Sequence, residues 1–212
     1  MNGPRNIMYI HGMGGGRDSR IPWILKECFE NDPTVNIIIR TYDFDPDIAR
    51  DQIDSWVEEV KPVLIIGESL GSIHALRIKG IPHLFVSPAL NAPIHFKVLA
   101  PLMLIPGATS LMDWIYKPRP GERQKLHFTW DLLRKWNGYR KMAIANSPRM
   151  GGNDYFFAFL GKYDHYRKSG VVRITTWEKY YGKNSYELYP GTHFMEEEFV
   201  RTLLVNKIKT FL

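Results

Sequence analysis

The stretch that most constrains this chain is Leu64-Ile65-Ile66-Gly67-Glu68-Ser69-Leu70-Gly71. A short apolar run ends in Gly-x-Ser-x-Gly, and Ser72 to Ile78 then reads as a helix. A strand that meets a helix across so few residues needs a sharp turn. That turn lifts the Ser69 hydroxyl above the strand's carboxyl end and forces the serine into a sparsely populated backbone conformation. Gly67 and Gly71 omit the Cβ atoms that would otherwise collide between strand and helix.

The apolar runs around it repeat the pattern. Asn6–Ile10, Val35–Ile39, Val63–Ile66 and Leu84–Val86 are short and nearly all apolar, and helical stretches separate them. Strands of that kind belong to a parallel sheet covered on both faces. Ser19 is a candidate helix cap with Pro22 in the first turn, and Asp45 before Pro46 is a stronger one. Ile48, Ala49, Ile53, Trp56, Val57 and Val60 then share one helical face. Gly80 is placed to end the helix after Ser69. Cys28 reads as a buried small hydrophobe on the first helix, and as the only cysteine it makes no internal disulfide.

Alternation stops at Ser87-Pro88. Residues 88–116 are apolar but proline-punctuated, and residues 117–141 are basic with Phe128, Trp130, Leu132, Leu133 and Trp136 interleaved. A fifth strand is expected at Tyr155–Leu160 and a sixth at Ser185–Tyr189. Tyr166–Tyr181 is expected to hold a helix, although Val171–Ile174 also reads as a short strand. Phe199, Val200, Leu203, Leu204, Ile208 and Phe211 mark a final amphipathic helix. One domain follows, formed by 1–87 and 151–212 and interrupted by an insertion over 88–150. No stretch reaches the ~18 uncharged apolar residues of a membrane span, and no secretory leader precedes the first strand, so a cytoplasmic protein is expected.

The formal charge of +6 raises the question of a nucleic-acid partner. Residues 117–141 hold eight Lys or Arg against two acids, which leaves twenty of each sign elsewhere. A surplus confined to one segment argues against a nucleic-acid surface across the protein, and none is expected.

Four strand ends carry chemistry: His11-Gly12-Met13, Ser69, Asp164 and His193. In an open parallel sheet, ligands bind beyond those ends. Nucleophile, acid and base in that chain order, after a Gly-x-Ser-x-Gly turn, is the order of the α/β-hydrolases. The sequence resembles that superfamily, and specifically its small bacterial esterase-like members. The resemblance implies an α/β-hydrolase fold, a mainly parallel sheet of about six strands flanked by helices. Residues 88–150 fall where such proteins carry a variable lid, here a helical one, and the first strand already carries the His-Gly motif, so the family's two N-terminal strands have no counterpart.

The resemblance also implies roles. Ser69 would attack a carbonyl carbon, His193 would take its proton, and Asp164 would hold the imidazole tautomer. The backbone N–H groups of Met13 and Leu70 would form the oxyanion hole. His11 would orient that loop without transferring a proton, supported by Gly12, with Gly67 and Gly71 shaping the turn. Asp154 competes for the acid, but it stands at the start of the fifth strand and Asp164 at its end. His74 and His165 read as packing or surface histidines, and Glu68 has no assigned role.

Gly12-x-Gly14 after the first strand also suggests a dinucleotide loop. The third glycine position is Arg17, or Ser19 with the frame shifted, and Asp43 lies too far on to bind a ribose. No cofactor and no metal are therefore expected. The expected substrate is a small-molecule acyl ester cleaved through an acyl-enzyme, with an anionic ester suggested by the basic half of the insertion. A thioesterase or acyltransferase using the same site, and a non-catalytic binding protein on the same scaffold, are the alternatives.

Overall fold

In the computed structural model the described residues are 4–118, 121–148 and 154–212. Arg119 of the basic stretch and the 149–153 junction expected to end the insertion lie outside them. The chain runs β1 (Arg5–Ile10), α1 (Arg20–Cys28), β2 (Val35–Ile39), α2 (Pro46–Val60), β3 (Leu64–Glu68), α3 (Gly71–Ala75), β4 (His83–Val86) and α4 (Ala92–Leu99). After a 3₁₀ turn, Ala100–Leu104, come α5 (Ala108–Ile115), α6 (Trp130–Asn146), β5 (Phe156–Gly161), α7 (Tyr166–Ser169), α8 (Ile174–Tyr181) and β6 (Tyr186–Tyr189). The chain closes with α9 (Glu197–Phe199), which passes through one π turn, Val200–Leu204, into α10 (Val205–Lys209).

The sheet has six strands in the order β2-β1-β3-β4-β5-β6, and every neighbouring pair is parallel. Side chains alternate across it, as the two-residue period of a strand requires. Met8, Ile10, Ile65, Phe85 and Ala158 face one layer, which holds α2, α3, α6 and α8. Ile7, Tyr9, Leu64, Ile66 and Val86 face the other, formed by α1 and the C-terminal helix. The Asp45 carboxylate caps α2 by accepting from Asp47 N at 2.9 Å, with Pro46 in the first turn.

Several local expectations differ from the structure. The helix after Ser69 is short: it ends at Ala75 with Leu76 as its cap, so Gly80, at φ +75°, turns the chain further on and does not end the helix. Ser19 does not cap α1 with its hydroxyl, which accepts instead from Gly16 N at 3.0 Å. Val171–Ile174 forms no strand; Asn91 N donates to Val171 O, tying that stretch to the start of α4. Cys28 is half-buried, with Arg201 Nη1 3.3 Å from its sulfur. Within the 88–150 insertion, α6 belongs to the core: Leu133, Trp136, Tyr139 and Ala143 are buried in the same cluster as Ile65 and Phe85.

His11, His74 and His83 are all buried. Burial pushes His83 down to about 3 and His11 to about 4, and holds His74 well below the ordinary range. An unfolded chain protonates each near pH ~6.5 and the folded chain does not. The unfolded state therefore binds more protons below that pH, and stability falls as pH drops from about 6.5 toward 4. His83 is fully buried and packs on Phe85 and Phe156. His83→Leu is expected to flatten the fall of melting temperature between about pH 7 and pH 4. Parallel melting curves for the two proteins would rule this out.

Candidate active site

Strand order reverses beside β1, since the chain goes out to β2 and returns on the other side as β3. The loops after β1 and β3 open there into a crevice. Ser69 follows β3 with φ +48°, in the left-handed region. Its N–H donates to Val86 O at 2.9 Å, and its carbonyl accepts from Ala89 N at 3.1 Å. Those bonds anchor the strained residue to β4 and to the loop after it. A Cβ on Gly67 would sit 3.0 Å from Ala75 Cβ and from Ser72 Cα. One on Gly71 would collide with the carbonyl oxygens of Ile10 and His11, so the second glycine clears the end of β1.

Three residues from three strand ends meet in one line. Ser69 Oγ lies 2.9 Å from His193 Nε2, and His193 Nδ1 lies 2.8 Å from Asp164 Oδ2. The geometry sets the proton positions. Asp164 accepts, so Nδ1 carries the hydrogen; Nε2 then offers its lone pair to the serine hydroxyl. The other oxygen, Asp164 Oδ1, accepts from Tyr166 N at 2.8 Å, which fixes the carboxylate's orientation. The acid is fully buried and the imidazole nearly so. Asp154 stands at the opposite end of β5, where its Oδ1 accepts from Gly80 N at 2.7 Å.

The histidine loop is braced from several sides. Tyr189 OH donates to Thr192 O at 3.0 Å, and Thr192 N donates to Glu196 Oε1 at 3.0 Å. Arg20 Nη2 reaches across from α1 to the carbonyls of Phe194 and Met195, at 2.7 and 2.6 Å. Tyr166 packs edge-on against the His193 ring, 4.6 Å between centroids.

The loop after β1 runs beside the serine: a Cβ on Gly12 would lie 3.0 Å from Ser69 Cβ. Among the described residues, neither Met13 N–H nor Leu70 N–H donates to a protein acceptor, and both residues line the cavity over Ser69. His11 Nδ1 donates to Gly12 O at 2.7 Å, and its ring stacks on Tyr42 at 4.2 Å. Tyr42 OH in turn donates to the His11 carbonyl. His11 therefore stays neutral at ordinary pH and serves the loop's shape. His74 is a packing residue bonded to Tyr139 OH at 2.8 Å, and His165 is an exposed one beside Tyr166.

Sequence reasoning missed Gln124, Arg20 and Glu68. Buried Gln124 pins the glycine loop: its Oε1 accepts from Gly14 N at 3.0 Å, and its Nε2 donates to Asp43 O at 3.1 Å. A lone glutamine in a basic segment gives no signal of that. Arg20 sits at an ordinary helix start. Glu68 follows from its place before the serine: it lines the cavity, and its Oε2 lies 3.4 Å from Gly12 N.

The cavity above Ser69 encloses about 500 Å³. Leu70, Ala89, Ala92, Phe96, Leu99 and Val171 give it an apolar wall, with Glu68, Arg20 and Arg123 at its polar side. Three of the eight basic residues in 117–141 are already engaged. Arg123 pairs with Asp18 at 3.0 Å, Lys135 with Asp45 and Asp47 at 2.7 and 2.9 Å, and buried Arg140 bonds Leu90 O and Asn91 Oδ1. Among the described residues, no group of three or more His, Cys, Asp or Glu could hold a metal ion, and no helix is long and apolar enough to cross a membrane.

No protein-family model matches the sequence, and no curated protein matches it. Solved structures do match. A monoacylglycerol lipase from Paleococcus ferrophilus superposes with a TM-score of 0.60 at 15% identity, over 99% of this chain and 95% of that one. Est1E from Butyrivibrio proteoclasticus, solved with ferulic acid, gives 0.63 at 14%, over 98% and 90%. The bottromycin epimerase BotH gives 0.54 at 9%, over 100% and 93%. The fold is that of the α/β-hydrolases, six parallel strands flanked by helices. Identities this low establish the fold alone, and an epimerase among the matches illustrates how many chemistries it hosts.

Proposed function

We propose, from the α/β-hydrolase fold and the line of three side chains it brings together, that this protein is a serine hydrolase of carboxylic esters. Ser69 Oγ adds to the ester carbonyl while His193 Nε2 takes its proton. The tetrahedral oxyanion is held by the N–H groups of Met13 and Leu70. The intermediate expels the alcohol, which leaves with the proton from His193, and an acyl group remains on Ser69. Water, deprotonated by the same imidazole, then releases the acid and regenerates the serine. Asp164 keeps the imidazole in the required tautomer and stabilises the imidazolium.

The observation that carries this reading is the hydrogen-bonded run from Ser69 Oγ through His193 to a carboxylate that is itself held by a backbone N–H. The apolar wall supports a small to medium, uncharged acyl group. Arg123 is paired with Asp18 and Arg20 is engaged by the carbonyls of Phe194 and Met195, which disfavours an anionic one. The segment from α4 through α5 fits the part of a lid, whereas α6 does not.

A series of p-nitrophenyl and thioester substrates of increasing chain length tests the assignment. Turnover is expected to peak at short to medium esters, to exceed that of the matched thioesters, and to change little with added salt. A preference for anionic esters that salt weakens would overturn the uncharged-acyl assignment. Absence of turnover for every activated ester by folded protein would overturn the hydrolase reading itself.

A further inference from the structure

Helix α5 has no buried residue. Between Ile94 and Tyr116, seven apolar side chains each expose more than half of their surface, with Val98 at 72% and Trp114 at 73%. The 3₁₀ turn Ala100–Leu104 packs against both α4 and α5, so these side chains are carried by three adjoining elements. The largest apolar patch of an ordinary soluble monomer is roughly 300–600 Å², and patches of that size mark protein or membrane contacts.

Charge and position select the occupant. The charged residues from 92 to 117 are Lys97, Asp113 and Lys117. The Asp113 carboxylate is taken up by His127 Nδ1 at 2.7 Å and Phe128 N at 3.0 Å. Lys97 and Lys117 are exposed, Lys97 within α4 and Lys117 directly after Tyr116. Exposed apolar side chains with Trp114 and Tyr116 among them, together with two exposed ammonium groups on the same segment, suit the boundary of an anionic bilayer. The face is also continuous with the cavity, since Phe96 and Leu99 of α4 line it. A second copy seated there would cover the way in; a lipid surface would supply what goes in.

We propose that the face from Ile94 to Tyr116 docks on an anionic lipid surface and brings the mouth of the Ser69 cavity to it. The substrate class follows, resting on the hydrolase reading above: esters that partition into lipid, taken from the surface rather than from bulk water.

Flotation with phosphatidylcholine vesicles, with and without phosphatidylglycerol, tests it. The wild-type protein is expected to float with the mixed vesicles, less with phosphatidylcholine alone, and less again in high salt. The double variant Leu104→Ser/Trp114→Ser, changed at two exposed sites outside the cavity, is expected to lose binding by roughly tenfold or more. Its turnover of a water-soluble short-chain ester is expected to match wild type. Ser69→Ala is expected to float like wild type, so docking is read without turnover. Failure of ester turnover with flotation intact would remove the substrate class and leave the docking face. The docking proposal itself is overturned by absence of flotation with either vesicle, or by equal flotation of the double variant. Light scattering that shows a dimer dissociated by those two substitutions would overturn it too, and would assign the face to a second copy.

Discussion

Ser69→Ala is expected to lower kcat by about 10⁴- to 10⁶-fold and to abolish labelling by a fluorophosphonate probe. The circular dichroism spectrum and melting temperature should stay close to wild type. The hydroxyl's hydrogen bond is the one to His193, at 2.9 Å, and alanine adopts the +48° turn no worse than serine does. In the proposed mechanism the atom lost is the one that forms the acyl bond, so the effect is expected on the chemical step and not on KM. Residual rate from oxyanion donors and binding sets the floor. Labelling that persists in the alanine variant would place the reactive group elsewhere.

The second large effect is expected at Asp164. Asp164→Asn keeps the shape but supplies one acceptor where the structure uses two, Oδ1 for Tyr166 N and Oδ2 for His193 Nδ1, each at 2.8 Å. The amide oxygen stays on the fixed backbone N–H and its NH₂ turns to the imidazole. That group donates to Nδ1, which moves the ring's hydrogen to Nε2 and points it at Ser69. The base is then in the wrong tautomer, and a loss of about 10⁴-fold in kcat is expected with substrate binding little changed. Asp154→Asn serves as the control. Its Oδ1 holds Gly80 N, an acceptor role that asparagine retains, and it stands at the far end of β5. Loss of activity in that variant with Asp164→Asn active would reverse the choice of acid.

The strand ends were the legible part of this protein. Parallel strands buried on both faces leave short apolar runs, and six such runs marked the six strands to within about two residues. Chemistry at the carboxyl ends was legible for the same reason, since His11, Ser69, Asp164 and His193 each stand next to a run that places them. The groups that hold the site were not. Gln124 reaches the glycine loop, and Arg20 reaches the histidine loop, across 110 and 174 positions of chain. Neither falls into a periodic pattern or beside a turn signal. The helix α6 was hidden differently. Its Arg134, Lys135 and Arg140 make it look solvated, yet Arg140 is buried on carbonyl and amide oxygens while Trp136 fills the core. Composition misjudged it because a guanidinium can be stored inside when its donors are met.

The Gln124 bridge ties two parts that are usually thought of as separable. The same chain segment that closes the cavity also ends in the residue that spans Gly14 and Asp43. Its neighbour Arg123 is joined to Gly16 by backbone pairing. On the proposed reading, substrate range and transition-state stabilisation would thus be written on one continuous stretch of polypeptide. A graft that exchanged residues 88–128 for those of another protein of this fold would carry away the peg that seats the glycine loop after β1. Recombination at the tip, within 94–116, leaves that peg in place, so diversity in this scaffold is cheap at the rim and costly at the root.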